Sequence, residues 1–310
     1  MSWKKLKTFA IVTLCVMNAI FVFLVFQRNY RATHYDENLI DSVISVFRES
    51  ELYVNRDFLS GKVVSLPVYT GVTEKLESLS ELPVVRAIEK AGYTIREAPG
   101  GIRCENAVGE FYFSDDFGFY YSEKGRYDRP SDLLATERYI LLREDGSNKA
   151  EALRIVDSFL KKYEFLSDEN SRYGYEVAYS EVYSSGINYI VTLAQSIDGI
   201  PVHEKICVMV SGGRVVSADG IFATEAPLFR EKAETVDLID ILFEEKAYLD
   251  EIYRANGSFS YTPMVLSEIS YSYAVYFDAS GNFYLVPLCD VRYANGDVRT
   301  YNCISGKLYS

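Results

Sequence analysis

The sequence predicts an α+β protein: a single N-terminal transmembrane helix followed by an ectodomain of helix-plus-antiparallel-meander units. Three observations carry that expectation. Residues 9–26 form a run without charge, within the range of about 17 to 25 residues needed to cross the hydrocarbon core. Farther along, apolar positions recur at helical spacing in well-separated windows. Between those windows, short runs rich in valine, isoleucine, tyrosine and phenylalanine alternate with glycine- and aspartate-bearing turns, as hairpin-connected strands do.

Only Thr13, Cys15 and Asn18 interrupt the apolar character of the N-terminal run. No small-x-small cleavage signal follows it. Gln27, Arg28, Asn29, Tyr30 and Arg31 do, and Tyr30 suits a membrane interface, so residues 9–27 read as a retained anchor rather than a signal peptide. Lys4, Lys5 and Lys7 lie in the preceding tail, residues 1–8, and the positive-inside rule places that tail in the cytoplasm. The remainder is then extracytoplasmic, as expected of a single-pass protein of the cell membrane. At about 100° per residue, Cys15, Asn18 and Ala19 share one side of the helix, continued by Val22 and Phe26. Small and amide residues on one stripe are what close helix approach and interhelical hydrogen bonding require. This stripe is the candidate partner-binding surface.

Ile40, Val43, Ile44 and Phe47 give residues 36–53 helical spacing, which predicts an amphipathic juxtamembrane helix. A polar stretch over 55–62 precedes an extended piece ending at Tyr69. A second helical pattern covers 74–91, with Pro83 as a break and Gly92 as a stop. Strands are expected over 93–96, 102–106, 110–114 and 117–122, separated by Pro99-Gly100-Gly101, Gly109 and Asp115-Asp116. A boundary near residue 146 divides the exterior into a first region, 32–146, and a second, 147–310. The second opens on a helix whose Asn148 and Glu151 have capping-box spacing and whose Leu153, Val156, Leu160 and Tyr163 share a face. Strands follow over 175–183, 187–195, 202–210 and 214–222, then a helix over 235–254, then strands over 264–277, 282–293 and 298–304. The 26 tyrosines, many alternating along strands, point to sheet faces that are half buried and half available for contact.

The charge balance is 32 basic against 44 acidic residues, net −12, which excludes a protein that grips duplex nucleic acid through a basic surface. The first 27 residues hold three lysines and no acid, leaving a more acidic body behind a basic head. His34 and His203 are the only histidines. In a strand, His203 and Cys207 share a face about 13 Å apart at about 3.3 Å per residue, too far to ligate one metal ion or to form a catalytic pair. Ser158 and Lys161 match a serine-lysine spacing known from penicillin-recognising enzymes, yet the companion Lys-Thr-Gly element is missing. No nucleophile elbow, phosphate loop, zinc helix or calcium loop occurs. Asp115-Asp116 falls in a turn and Glu244-Glu245 on a solvated helix face. The expectation is a nonenzymatic protein without metal or cofactor.

Outside the anchor lie Cys104, Cys207, Cys289 and Cys303, with three disulfide pairings open to them in an oxidising compartment. Around Asn295-Gly296, a two-residue turn would pair Cys289 with Asn302, whereas a three-residue loop would set Cys289 opposite Cys303. Asn256-Gly257-Ser258 matches a glycosylation acceptor.

The opening Trp3-Lys4-Lys5-Leu6-Lys7, running into an anchor that contains Asn18, resembles the start of the YycI family. The resemblance continues through Gln195-x-x-Asp198-Gly199-Ile200-Pro201-Val202, the turn at Gly212-Gly213, a strand containing Pro287, and Asn302-x-x-x-Gly306. These are extracytoplasmic regulators that accompany the WalK sensor histidine kinase in low-GC Gram-positive bacteria. The resemblance implies a noncatalytic membrane protein of a two-component system linked to cell wall homeostasis. Its partners would be a WalK-like kinase, a YycH-like second regulator and membrane lipid, and it supplies no catalytic residue. From the residues alone, an alternative is a tethered ligand-binding or protease-inhibitor-like module using the tyrosine-rich sheet.

Overall fold

Runs of β-branched and aromatic residues set the local structure, and strand dominates the residues that the computed structural model describes: 17–18, 20–25, 34–61, 66–71, 79, 82–115, 118–124, 128–136, 138–165, 176–197, 199–221, 228–233, 235–255, 262–278 and 283–309. Helix α1 (Glu37–Arg48) is followed by β1 (Leu52–Tyr53), a 3₁₀ turn (Arg56–Leu59) and β2 (Pro67–Gly71). Helix α2 (Pro83–Lys90) leads into β3 (Thr94–Ala98), β4 (Gly101–Glu105), β5 (Gly109–Ser114) and β6 (Gly118–Glu123). A short helix α3 (Pro130–Leu134) and β7 (Ile140–Leu141) precede α4 (Ser147–Lys162). Next come β8 (Glu176–Ser185), β9 (Asn188–Ile197), β10 (Ile200–Ser211), β11 (Arg214–Ile221) and β12 (Leu228–Lys232). Helix α5 (Leu238–Ala255) then precedes β13 (Met264–Phe277), β14 (Phe283–Tyr293) and β15 (Val298–Asn302).

The α+β expectation with a single N-terminal transmembrane helix is corrected by this structure. The fold is mostly β-sheet with few helices, and no helix among the described residues is long and apolar enough to cross a membrane. Within the N-terminal run, residues 17–18 and 20–25 are helical, and the rest lies outside the described residues. Nor are the helix-plus-meander units self-contained. Val202 of β10 pairs in parallel with Tyr273 of β13, so strands assigned to separate meanders share a ladder. Strand length is the physical reason: β10 has 12 residues and β13 has 14. Such strands outrun their hairpin partners, and their remaining backbone groups must be satisfied elsewhere.

Two compact units result, one formed by Met1–Leu66, Lys232–Ser270 and Leu288–Ser310, the other by Pro67–Glu231 and Tyr271–Pro287. In the first, the Asn38 N–H donates to the Asp36 carboxylate at 2.9 Å, capping α1. The α1 stripe of Ile40, Val43 and Phe47 is buried, and Phe47 meets Phe243 of α5 edge-on with ring centroids 5.1 Å apart. β14 and β15 pair antiparallel from Leu288↔Asn302 to Arg292↔Val298. Tyr293 and Asp297 close the loop of Ala294, Asn295 and Gly296, so Cys289 faces Tyr301, and neither expected register is adopted. Gly296 accounts for the shift: its φ of +94° lets its N–H return to the Tyr293 carbonyl at 2.9 Å. Cys104, Cys207, Cys289 and Cys303 are all buried.

The second unit is built around β10. On one side of β10, β11, β6, β5, β4 and β3 follow as successive neighbours; on the other, β9, β8 and the short β7. Gly212 and Gly213 connect β10 to β11 with φ of +57° and +76°, as a two-residue type I′ turn requires. Register then sorts side chains into cross-strand rows. One row reads Cys104, Phe111, Tyr121, Ala218, Val208, Val191 and Val182, apolar throughout apart from the tyrosine hydroxyl. It is covered by Val84, Val85 and Ile88 of α2 and by Ala152, Val156 and Leu160 of α4. Helix α4 begins with Gly146 as N-cap, and the expected Asn148–Glu151 box is not formed. Glu151 instead accepts from the Arg154 guanidinium at 2.7 Å and 2.9 Å.

Phe111 is the aromatic hub of this core, fully buried and within 4.5 to 5.3 Å of the rings of Tyr121, Tyr163 and Tyr93. Truncating it leaves a cavity among side chains anchored on three elements. Phe111→Ala should therefore cost about 3–5 kcal/mol of stability, read by urea unfolding followed through the tyrosine near-ultraviolet signal. A loss under about 1 kcal/mol would mean that the core collapses around the gap.

Candidate functional site

The opposite sheet face of the second unit carries a row of different character: Arg103, Tyr112, Tyr120, Asp219, Cys207, Thr192 and Glu181 stand opposite one another across successive strands. In the adjacent row Ser217, Met209 and Ile190 are neighbours, and they lie under α3. Ile190, Cys207, Met209 and Val216 form an apolar cluster against which Leu133, Leu134 and Tyr139 pack. Because α3 spans only five residues, it covers that cluster and stops. Beyond it lies an open groove of about 540 Å³ lined by Tyr112, Tyr120, Arg129, Glu204, Lys205 and Asp219, among others.

Two local features shape the groove. Helix α3 starts at Pro130 without a side-chain cap of its own. Asp219 of β11 substitutes: its carboxylate accepts from the Ser131 N–H at 3.1 Å and from the Ser131 hydroxyl, satisfying a donor that a helix start leaves unpaired. The Ser217 hydroxyl donates to the Asp128 carbonyl at 3.2 Å, fixing the approach to the helix. Arg129 then projects over the Tyr120 ring, 5.5 Å from its centroid.

The second feature is a register shift in β10 between Pro201 and Lys205. The shift re-aims Glu204, whose carboxylate accepts from the Val275 N–H at 3.0 Å. Gly220 permits close approach here, since a Cβ would sit 2.9 Å from the Ile206 Cα and 3.0 Å from the Lys205 carbonyl oxygen. Lys205 donates to Glu181 at 2.8 Å and lies 5.1 Å from the centroid of Tyr179.

Burial holds both groove carboxyls above their ordinary values. For Glu204 it outweighs the hydrogen bond from Val275, and for Asp219 it outweighs those from Ser131 and the charge of Arg129. Burial also pushes Glu181 upward, but the hydrogen bond and charge of Lys205 prevail and hold it below the usual range. The Cys207 thiol is pushed up to about 12 by burial and by Asp219, so it is not poised as a nucleophile.

The residues singled out from sequence fall mostly elsewhere. Asn18 and Val22 are exposed helical residues; Cys15, Ala19 and Phe26 lie outside the described residues, as does Asn256. His203 is exposed within the β10 register shift, whereas Cys207 is buried under α3. Ser158 donates to the Arg154 carbonyl at 2.9 Å, and Lys161 pairs with Asp157 at 2.9 Å, so the two do not engage each other. Glu244 does lie on a solvated face, paired with Lys307 at 2.7 Å.

Glu245 departs from that expectation. It is fully buried, and its carboxylate accepts from the hydroxyls of Tyr293 and Tyr301 and from the Arg299 guanidinium. Adjacent residues on a helix point about 100° apart, which turns Glu245 into the first unit while Glu244 stays in water. Arg299 also lies 5.1 Å from the Tyr248 ring centroid and 5.3 Å from that of Tyr293. With the Glu245 carboxylate fully buried and its acceptors engaged, the cluster joins α5 to β14 and β15.

No protein-family model matches the chain, and no curated protein matches it. Among solved structures, the chain is similar to an uncharacterized protein from Eubacterium rectale, at 14% identity over 81% of this chain and 87% of that one, with a TM-score of 0.41. It is also similar to the C-terminal domain of Bacillus megaterium YpeB, at 10% identity over 89% of this chain and 96% of that one, with a TM-score of 0.33.

Three outcomes follow from the charged clusters. Glu204 and Asp219 bind protons more tightly folded than unfolded, so their contribution is complete below the unfolded values and is lost as pH rises through the folded ones. As pH falls from neutral into the carboxylate range, the wild type should gain stability relative to Glu204→Gln/Asp219→Asn. The lowered Glu181 has the opposite sign, and the wild type should lose stability relative to Glu181→Gln on the same descent. Denaturant titrations across pH check both slopes. In the first unit, Glu245→Ala strands Arg299 and should cost about 3–5 kcal/mol, against a much smaller loss for the exposed Glu244→Ala.

Proposed function

We propose that this chain is a noncatalytic membrane-side regulator of a WalK-like sensor histidine kinase. It acts at the cell membrane, with the groove-bearing body on the extracytoplasmic side. The observation that carries this reading is the way the groove's charges are engaged. Glu204 is tied to a backbone amide, Asp219 to the start of α3, and Lys205 to Glu181, beside tyrosines set side by side. Fixed pairs next to aromatic faces suit recognition of a partner surface. The basic N-terminal tail and the uncharged run that follows it support attachment to membrane lipid. The short motifs shared with the YycI family support the kinase as partner and a YycH-like protein as a second one.

Regulation requires unequal binding to two kinase states. Moving such an equilibrium from 1:9 to 9:1 takes roughly 2.6 kcal/mol of differential affinity. Contacts at the exposed Asn18 and Val22 together with the groove supply two independent sources for it. A second reading is a tethered ligand-binding or protease-inhibitor-like module, favoured by a groove volume of about 540 Å³, within the range of small-molecule sites.

Crosslinking in intact membranes, affinity purification and mass spectrometry separate the two. The native chain should recover a sensor histidine kinase, and Asn18→Leu should lower that recovery several-fold. Absence of any kinase with the native chain, alongside capture of wall material or a protease, would overturn the regulator reading in favour of the second.

A further inference from the structure

Helix α3 does not hold itself in place. It has five residues, whereas isolated helices shorter than about 12–15 residues are marginal in water. Its sequence supplies no side-chain cap, and Pro130 is its one buried residue. Leu133 and Leu134, which pack on the sheet, are half-buried themselves. The floor beneath them is not: Ile190, Val216, Cys207 and Met209 are all buried. What pins this thin cover is a set of bonds at its start. The Asp219 carboxylate accepts from the Ser131 N–H at 3.1 Å and from the Ser131 hydroxyl, and the Ser217 hydroxyl donates to the Asp128 carbonyl at 3.2 Å. Past the other end, the Thr136 hydroxyl turns back to the Leu133 carbonyl at 2.6 Å, a bond inside the segment rather than to the sheet. The segment is therefore tied at one end by polar bonds and held elsewhere by apolar packing. Arg129, Ser131 and Asp219 also line the open groove, so an occupant of the groove touches the tie itself.

We propose that α3 is a lid latched by Asp219, and that releasing Ser131 from this carboxylate lets the helix lift and extends the groove over the apolar floor of Ile190, Cys207 and Met209. A segment with few buried apolar contacts of its own opens at lower free energy than the core it covers. The latch matters because the donors it satisfies belong to a helix start, which otherwise leaves them unpaired. Once lifted, α3 uncovers an apolar surface next to a polar groove, a combination suited to an apolar side chain carried by the groove's occupant. Such an occupant binds the open state alone, and so shifts the lid toward it. The inference concerns the lid itself and holds whichever partner the groove receives.

The test labels the full chain in detergent micelles with N-ethylmaleimide and reads each cysteine by peptide mass spectrometry. Cys207 lies under the lid, while Cys104, fully buried in the opposite core, reports opening of the sheet as a whole. In the wild type Cys207 should react at least about tenfold faster than Cys104, and its rate should stay nearly flat in low urea while that of Cys104 climbs, because local opening exposes little surface. Asp219→Ala removes the latch and should speed Cys207 by about a further tenfold with Cys104 unchanged. Ser131→Ala keeps the N–H bond and should speed it less. If Cys207 reacts no faster than Cys104, or the two share one urea dependence, α3 opens only with the whole fold and the proposal is overturned. A Cys207 rate that Asp219→Ala leaves unchanged overturns it equally, since the latch then restrains nothing. Should Asp219→Ala accelerate both cysteines alike, that variant has lost the fold, and the wild-type comparison together with Ser131→Ala decides.

Discussion

Strand β10 is apolar on both faces over Ile206–Val210, and most of the second unit answers that constraint. Ile206, Val208 and Val210 face one core while Cys207 and Met209 face another. An antiparallel sheet ordinarily leaves one face to water, but each exposed aliphatic side chain here would forfeit about 1.5–3 kcal/mol of burial. Helices α2 and α4 cover the first face. The second is covered only locally, by Leu133 and Leu134 of α3 with Tyr139. Where that cover ends, side chains change from Met209 and Ile190 to Tyr112, Tyr120 and Asp219, and the groove begins. Its position therefore follows from the extent of the apolar cluster that α3 has to cover.

Polar groups brought under that cover had to be satisfied by distant parts of the chain. Asp219 caps a helix 88 positions away in sequence, and Glu204 reaches a backbone amide 71 positions away. Both links tie a strand to an element that a hairpin meander alone would not hold. In the first unit the same task falls to Glu245, with donors 48, 54 and 56 positions away. The two solutions differ in accessibility. Glu245 has its oxygens committed inside a closed cluster, while Glu204 keeps part of its surface toward a groove. A buried carboxylate with matched donors serves cohesion, and one without a matched cation leaves a local potential for something else to meet.

Strand positions were largely legible in the sequence because alternation and glycine turns are local signals. The strands expected over 202–210 and 214–222 around Ser211-Gly212-Gly213 appear as β10 and β11. Helix α3 leaves little trace in the sequence because five residues give no measurable period, although Pro130 followed by Ser131 and Asp132 is a helix-start signal. The capping box at Asn148 and Glu151 failed because Arg154, three residues on, offers Glu151 a charged partner. The groove was not legible. Glu204 and Asp219 sit inside apolar strand patterns, a composition that marks a charge needing explanation, but their partners are set by register and by the β10 shift. The fold class erred for a related reason: periodicity identifies hairpins but does not say that β10 and β13 share a ladder.

The acidic character of the chain and the chemistry of the groove act over different distances. A net charge of −12 draws cations of every kind toward the body, and salt screens that attraction beyond about 8 Å at physiological ionic strength. Such a field raises encounter rates without choosing a partner. Glu204 acts only at contact, in a half-buried setting where screening is weaker and a misplaced anion would be repelled. On the same groove Lys205 is paired with Glu181, and Arg129 lies over the Tyr120 ring. The register shift of β10 thus brings one carboxylate, Glu204, to an aromatic groove in which no cation among the described residues pairs with it.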